Sequence, residues 1–299
     1  EDSITIATNN ASIDFDTTIA SDSTPRALTI QQGSGTVTVG GDIGGTANND
    51  LAAITIGATG NNGNITLSGS IGTDSIAAAT TLAIGNSSTA KITLGGAEYN
   101  SSSTQTWTAD EFAVNGTDAT FTTNNADVDF VDGASGNFIL GNNADLTVDT
   151  NLSATNTNGN ISFADNISII GINGNAAQDV ILNTGSGNGT ITVKTIGTSS
   201  AEINDVTMTA GGGITLKGDI TLSAFTPTGQ NAQEDKGDLI LNSAVELRGG
   251  DANSRITIDT SDGSGGLVDV NSTVNSDVEN LSLTVVSGGG AVDFDGIIG

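Results

Sequence analysis

The feature that most constrains this chain is a short alternating motif: an apolar-x-apolar triplet, a Gly/Asn-rich turn and a second triplet, repeated from one end to the other. Leu28-Thr29-Ile30, the turn 31–35 and Val37-Thr38-Val39 make one copy. Second triplets begin at Ile13, Val37, Ile65, Ile92, Val128, Ile161, Ile191, Ile214, Val245, Val268 and Val292, a mean spacing of about 28 residues, as in solenoid repeats. First triplets open at Ile4, Leu28, Ile54, Leu82, Leu146, Val180, Val206, Leu239, Ile256 and Leu283. A third apolar residue follows four positions after many second triplets, as in Phe15 to Ile19, Val39 to Ile43, Leu216 to Ile220 and Phe294 to Ile298, with Gly, Asp, Ser or Thr between. Such residues suit a bend between strands, so each unit offers three inward-facing stretches separated by corners.

Alternation puts Ile, Leu, Val or Phe on one side of each strand and Thr, Ser or Asp on the other. One unit cannot bury its apolar side, whereas stacked units bury a continuous aliphatic column and hydrogen-bond from turn to turn. The expected fold is all-β: a parallel β-helix, or β-solenoid, of about eleven coils and no significant helix, running through residues 1–299 as one continuous rod. Repeats of antiparallel β-sandwich are the alternative, because tight Asn-Gly turns also serve hairpins. Only 75–82, with its Ala run, leans towards helix.

Composition narrows the function. The chain has 34 acidic and 7 basic residues and a formal charge of −27, which opposes binding to nucleic acid or to anionic membranes. Arg26, Lys91, Lys194, Lys217, Lys236, Arg248 and Arg255 are scattered singly along the sequence. With no His and no Cys there is no zinc site of the usual kind, no thiol nucleophile, no imidazole base and no Ser-His-Asp triad. No apolar run reaches the 18 to 20 residues of a membrane helix, and the opening at Glu1 is no signal peptide. The expectation is a segment or module of a longer repetitive chain or fibre.

Leu28 to Gly44 (LTIQQGSGTVTVGGDIG), Ile54 to Gly72 (ITIGATGNNGNITLSGSIG) and Leu283 to Gly299 (LTVVSGGGAVDFDGIIG) resemble the central repeats of filamentous-haemagglutinin-type adhesins and giant bacterial surface proteins. Tyr99 to Asp132, with Gln105-Thr106-Trp107-Thr108-Ala109-Asp110, is similar to another repeat variant of such proteins. The resemblance implies a right-handed parallel β-helix, export, and a structural, non-enzymatic role at the cell surface. A recognisable secretion domain, membrane barrel or anchor is missing from these residues.

Several constellations carry candidate chemistry. Asp14 and Asp16, Asp127, Asp129 and Asp132, and Asp293 and Asp295 place alternate carboxylates on outward faces, a density of oxygens that Ca²⁺ favours, although a solvated acidic face accounts for them as well. The loop 259–265 misses the Glu that closes an EF-hand. A polysaccharide-cleaving pair lacks basic companions in the sequence, so no catalytic, cofactor-binding or metal-ligating residue is assigned and no cofactor is expected. A carbohydrate-binding or carbohydrate-cleaving β-helix is the alternative function, with Tyr99 and Trp107 as the aromatics that would stack on a sugar; their Thr-x-Thr setting fits half-buried packing better. Thr36 and Thr38, Thr190 and Thr192, and Thr207 and Thr209 raise an ice-binding alternative, which the drift in unit length from 23 to 36 opposes by breaking the ladders' register. The Asn-x-Ser/Thr sequons at Asn64, Asn86, Asn115, Asn160 and Asn188 follow from composition alone. The shared Φ-Asp-Phe-Asp of Ile13–Asp16 and Val292–Asp295 points to self-association, head to tail through the terminal coils. Surface glycans or proteins of a host or neighbouring cell are the other expected partners.

Overall fold

A computed structural model describes the chain except for residues 1–2, 23, 45–50, 58–59, 61–62, 74–79, 116–117, 134–135, 142, 153–156, 173–177, 225–235, 250–254, 264 and 278–280. Most of the Ala run at 75–82 thus lies outside the described residues. The described residues contain strands and no helix, arranged in three wholly parallel sheets that form a β-solenoid. Parallel pairing of every strand excludes the antiparallel sandwich.

The first and second sheets have eleven strands each and the third has eight. The first begins with Ile4–Ala7, Ala27–Gln31 and Ala53–Ile56, and the second with Ile13–Phe15, Val37–Val39 and Ile65–Leu67. The third begins at Glu98–Ser101; before it, the same face is closed by the single bridges Ile19 to Ile43, Ile43 to Ile71 and Ile71 to Tyr99. Eight turns therefore carry a full strand on every face, and the three before them carry strands on two faces and a bridge on the third, so each unit has the three inward-facing stretches expected of it.

The physical logic is that of the triplet. On the first sheet Leu28, Ile54 and Leu82 stack in register, and beside them Ile30, Ile56, Ile84, Trp107, Phe130 and Phe163. All of these are buried, and the aliphatic members are Leu or β-branched residues that suit a pleated, close-packed surface. Outward on the same strands run Thr5, Thr29, Thr55, Ala83, Thr106, Asp129, Ser162, Thr192, Thr215, Glu246 and Asn275, unbroken in register. The drift in unit length is absorbed at the corners, so the expected loss of ladder register does not occur.

The four-residue spacing marks a corner rather than a face. Phe15 to Ile19 and Val39 to Ile43 turn from the second sheet to the third, Leu216 to Ile220 from the first to the second, and Phe294 to Ile298 from the third to the first. Likewise, the eleven second triplets lie on three sheets: Ile13 to Ile92 on the second, Val128 to Val245 on the first, Val268 and Val292 on the third. The common Φ-Asp-Phe-Asp is thus a local likeness, with Ile13–Phe15 and Val292–Phe294 on different sides of the rod. Close approach at corners demands glycine where the backbone turns left-handed: at Gly85, φ is +81° and a Cβ would sit 2.0 Å from the Thr108 carbonyl oxygen one coil on.

Candidate functional site

Tyr99 and Trp107 lie in the interior, each with 0% exposure, which overturns the sugar-stacking reading and places them deeper than half-buried packing. They head a ring cluster through the middle coils: Tyr99 stacks on Phe121 at 5.0 Å, Trp107 meets Phe121 edge-on at 5.2 Å, and Phe130 stacks on Phe163 at 4.6 Å. Their polar atoms are satisfied inside. The Tyr99 hydroxyl accepts from the Gly96 N–H at 3.1 Å, and Trp107 Nε1 donates to Gln105 Oε1 at 3.1 Å. Buried Gln105 in turn donates to the carbonyls of Tyr99 and Thr122 at 2.7 and 2.9 Å. Burial pushes the Tyr99 phenol far above its ordinary range.

The three acidic motifs do not converge. Asp14 projects from the second sheet, Asp129 from the first and Asp293 from the third, and no group of three or more acidic residues is arranged to hold a metal among the described residues. Of the 259–265 loop, all but 264 is described. The threonine pairs are divided in the same way: Thr38 lies on the second sheet, Thr192 on the first, and Thr207 and Thr209 on the third, so they form no common flat array.

Part of the acidity has a structural use that a solvated face does not describe. At the entry to the third sheet, Asp118, Asp145, Asp179, Asp205 and Asp238 stand one above another in successive coils. Each Oδ1 accepts the backbone N–H of the next coil's corner: Asp145 at 3.1 Å, Asp179 at 2.9 Å, Asp205 at 3.1 Å, Asp238 at 2.6 Å and finally Leu267 at 2.7 Å. Entry to the first sheet repeats the device, Asp127 accepting from Asn160 N–H at 2.7 Å and Asn160 from Thr190 N–H at 2.9 Å. Each side chain satisfies a donor that the turn would otherwise leave unpaired. The cost is like charges at the rung spacing of about 4.8 Å. Burial, with the neighbouring charges of Asp179 and Asp118, holds the Asp145 carboxyl above the usual carboxylate range against the opposing Asp179 N–H. Burial and Asp127 do the same to Asp129, and burial with Asp262 and Asp259 to Glu202, where a Ser223 hydrogen bond opposes.

The cations, single in sequence, are not all single in space. Lys194, Lys217 and Arg248 each follow directly on a first-sheet strand, Ile191–Val193, Ile214–Leu216 and Val245–Leu247, in three successive coils. With Asp165, Gly249 and Asp277 they line a groove of about 350 Å³. Lys217 pairs with Asp165, and Arg248 with Glu246 at 3.0 Å and Asp277 at 3.8 Å. Elsewhere Arg26 pairs with Asp22 at 3.0 Å and Lys91 with Glu111 at 2.7 Å. The signal was present in the sequence, a cation closing three consecutive triplets: Ile191-Thr192-Val193-Lys194, Ile214-Thr215-Leu216-Lys217 and Val245-Glu246-Leu247-Arg248.

Apolar residues of the first and last described coils are exposed. Ile4 is 46% exposed, Val292 44%, Ile297 76% and Ile298 58%. Ile298 already starts a further rung on the first sheet by bridging to Val274.

No family model matches the chain, and neither does any curated protein or solved structure.

Proposed function

We propose that this chain is a structural, non-enzymatic rod: a β-solenoid segment of a bacterial cell-surface adhesin or extracellular filament, supplying reach, stiffness and self-association. The observation that carries this reading is the unbroken register of the two eleven-stranded sheets, coil stacked on coil. A rod whose hydrogen bonds run along its axis resists bending and stretching, and an uncovered strand edge is a template for further pairing. The next rung is supplied head to tail, by a second copy or by more chain of the same kind, stacking on Ser282–Val286, Val292–Phe294 and the rung begun at Ile298. The outward acidity keeps rods apart sideways, so millimolar Ca²⁺ or high salt promotes lateral association.

Electron microscopy of the purified chain tests the axial contact. The expected outcome is rods longer than one chain, shortened to single units by Thr5→Pro or Val292→Pro, each of which removes an N–H that faces away from the following or preceding coil at one end. Filaments of unchanged length in both variants, or single units only from the unaltered chain, would overturn the head-to-tail reading.

A further inference from the structure

We propose that the Lys194–Lys217–Arg248 corner, with the groove beside it, is a binding site for a linear acidic oligosaccharide carrying one carboxylate per sugar ring. Two observations support it independently of the rod reading.

The first is the convergence of charge. In a chain of net charge −27, three of the 7 basic residues occupy the same post-strand position in consecutive coils. Their backbone positions rise by the strand spacing of about 4.8 Å per coil along the rod axis, and the Lys217 ammonium reaches back past the Lys194 coil to Asp165. An extended acidic chain laid along the axis meets these positions in turn. The acidic neighbours hold two of the cations, Lys217 by Asp165, and Arg248 by Glu246 and Asp277. Lys194, half-buried one coil before Lys217, has no ion pair among the described residues. It is the point of entry for an external carboxylate.

The second is the surface alongside. Arg248 also closes a groove of about 450 Å³ that runs over the outer side of the first sheet, past Thr192, Thr215 and Asn275 and the backbone of Gly212 and Gly213. Thr192, Thr215, Glu246 and Asn275 stand in register, one per rung. A row of hydroxyl, amide and carboxylate groups along a shallow open channel offers hydrogen bonds to the ring hydroxyls of an extended chain. The same channel is too open to enclose a small molecule.

Titration of the full chain with an oligogalacturonate by calorimetry, at low and at physiological salt, tests the site, with a neutral oligosaccharide of equal length and a sulfated one alongside. Saturable binding of the oligogalacturonate that weakens with salt is expected, together with little or none of the neutral sugar. Lys194→Gln and Lys217→Gln should each weaken it by about two- to fivefold, the worth of one exposed charge pair. Lys91→Gln, on the second sheet, should leave it unchanged. Absent binding at low salt, equal binding of the neutral sugar, or indifference to both lysine variants would overturn the proposal. Tighter binding of the sulfated sugar would overturn the assignment of carboxylate.

Discussion

Phe130→Ala tests how stability is distributed along the rod. Phe130 is 1% exposed and has four ring partners: Phe163 at 4.6 Å, Phe121 at 5.0 Å, Phe138 at 5.1 Å and Phe112 at 5.7 Å. The substitution removes a ring from a close-packed column that has no side entrance through which neighbours could collapse, so the full cavity cost applies, about 3–5 kcal/mol. Because each coil contacts chiefly the coils above and below, that loss stays local. Denaturant unfolding should show the fall in stability, and native-state hydrogen exchange should place it. Amides of the aromatic coils, from Gln105–Thr108 to Ile161–Phe163, should lose protection, while Leu28–Ile30 and Ile256–Ile258 keep most of theirs. A loss below about 1 kcal/mol, or an equal loss of protection from end to end, would refute the nearest-neighbour picture.

Asp179→Ala, which removes the acceptor for the Asp205 N–H at 3.1 Å, should cost about 1–2 kcal/mol in urea unfolding, whereas Asp179→Asn keeps an acceptor and relieves Asp145, so it should be near neutral. Equal losses in the two variants would contradict the ladder's assigned role. Gly85→Ala should cost about 2 kcal/mol or more, since it forces an L side chain to φ +81° and its Cβ against Thr108; a neutral result by thermal melting would contradict that contact. Asp129, Asp145 and Glu202 have carboxyls raised above their ordinary values, so just above the usual carboxylate range, about pH 4, the native chain holds more protons than the unfolded one. Their contribution is present at low pH and is lost as pH rises through the raised values, and relief of net negative charge acts in the same direction. The melting temperature should therefore be higher near pH 5 than at pH 7, and a lower one would refute the assignment.

The strands were legible because Φ-x-Φ is a complete local instruction: Leu28-Thr29-Ile30 needs only its own alternation to declare which side is buried. Face identity was not. The corner spacing from Phe15 to Ile19 recurs at Leu216 to Ile220 and at Phe294 to Ile298, three different corners, so only pairing with the previous coil tells them apart. The strand Glu98–Ser101 escaped the triplet count because its inward positions, Tyr99 and Ser101, are an aromatic and a small polar residue. The aspartate ladder left a mark, an Asp directly before the apolar residue at Asp145-Leu146, Asp179-Val180, Asp205-Val206 and Asp238-Leu239. Its meaning depends on a backbone N–H about 30 residues away, which alternation does not reveal. The cationic corner was hidden for the same reason: Lys194, Lys217 and Arg248 are distant in sequence and adjacent only through stacking.

The central claim is that one coil adds one rung, whatever its length in residues. Since the chain has no Cys, paired spin labels can be placed without background, on the outward column of the first sheet. Thr29→Cys with Ser162→Cys spans five rungs and Thr29→Cys with Asn275→Cys spans nine, so electron double resonance should return about 24 Å and about 43 Å, a constant rise of about 4.8 Å per coil. Distances that place Thr29 no farther from Asn275 than from Ser162, or that give the two pairs a different rise per coil, would contradict a stacked parallel solenoid.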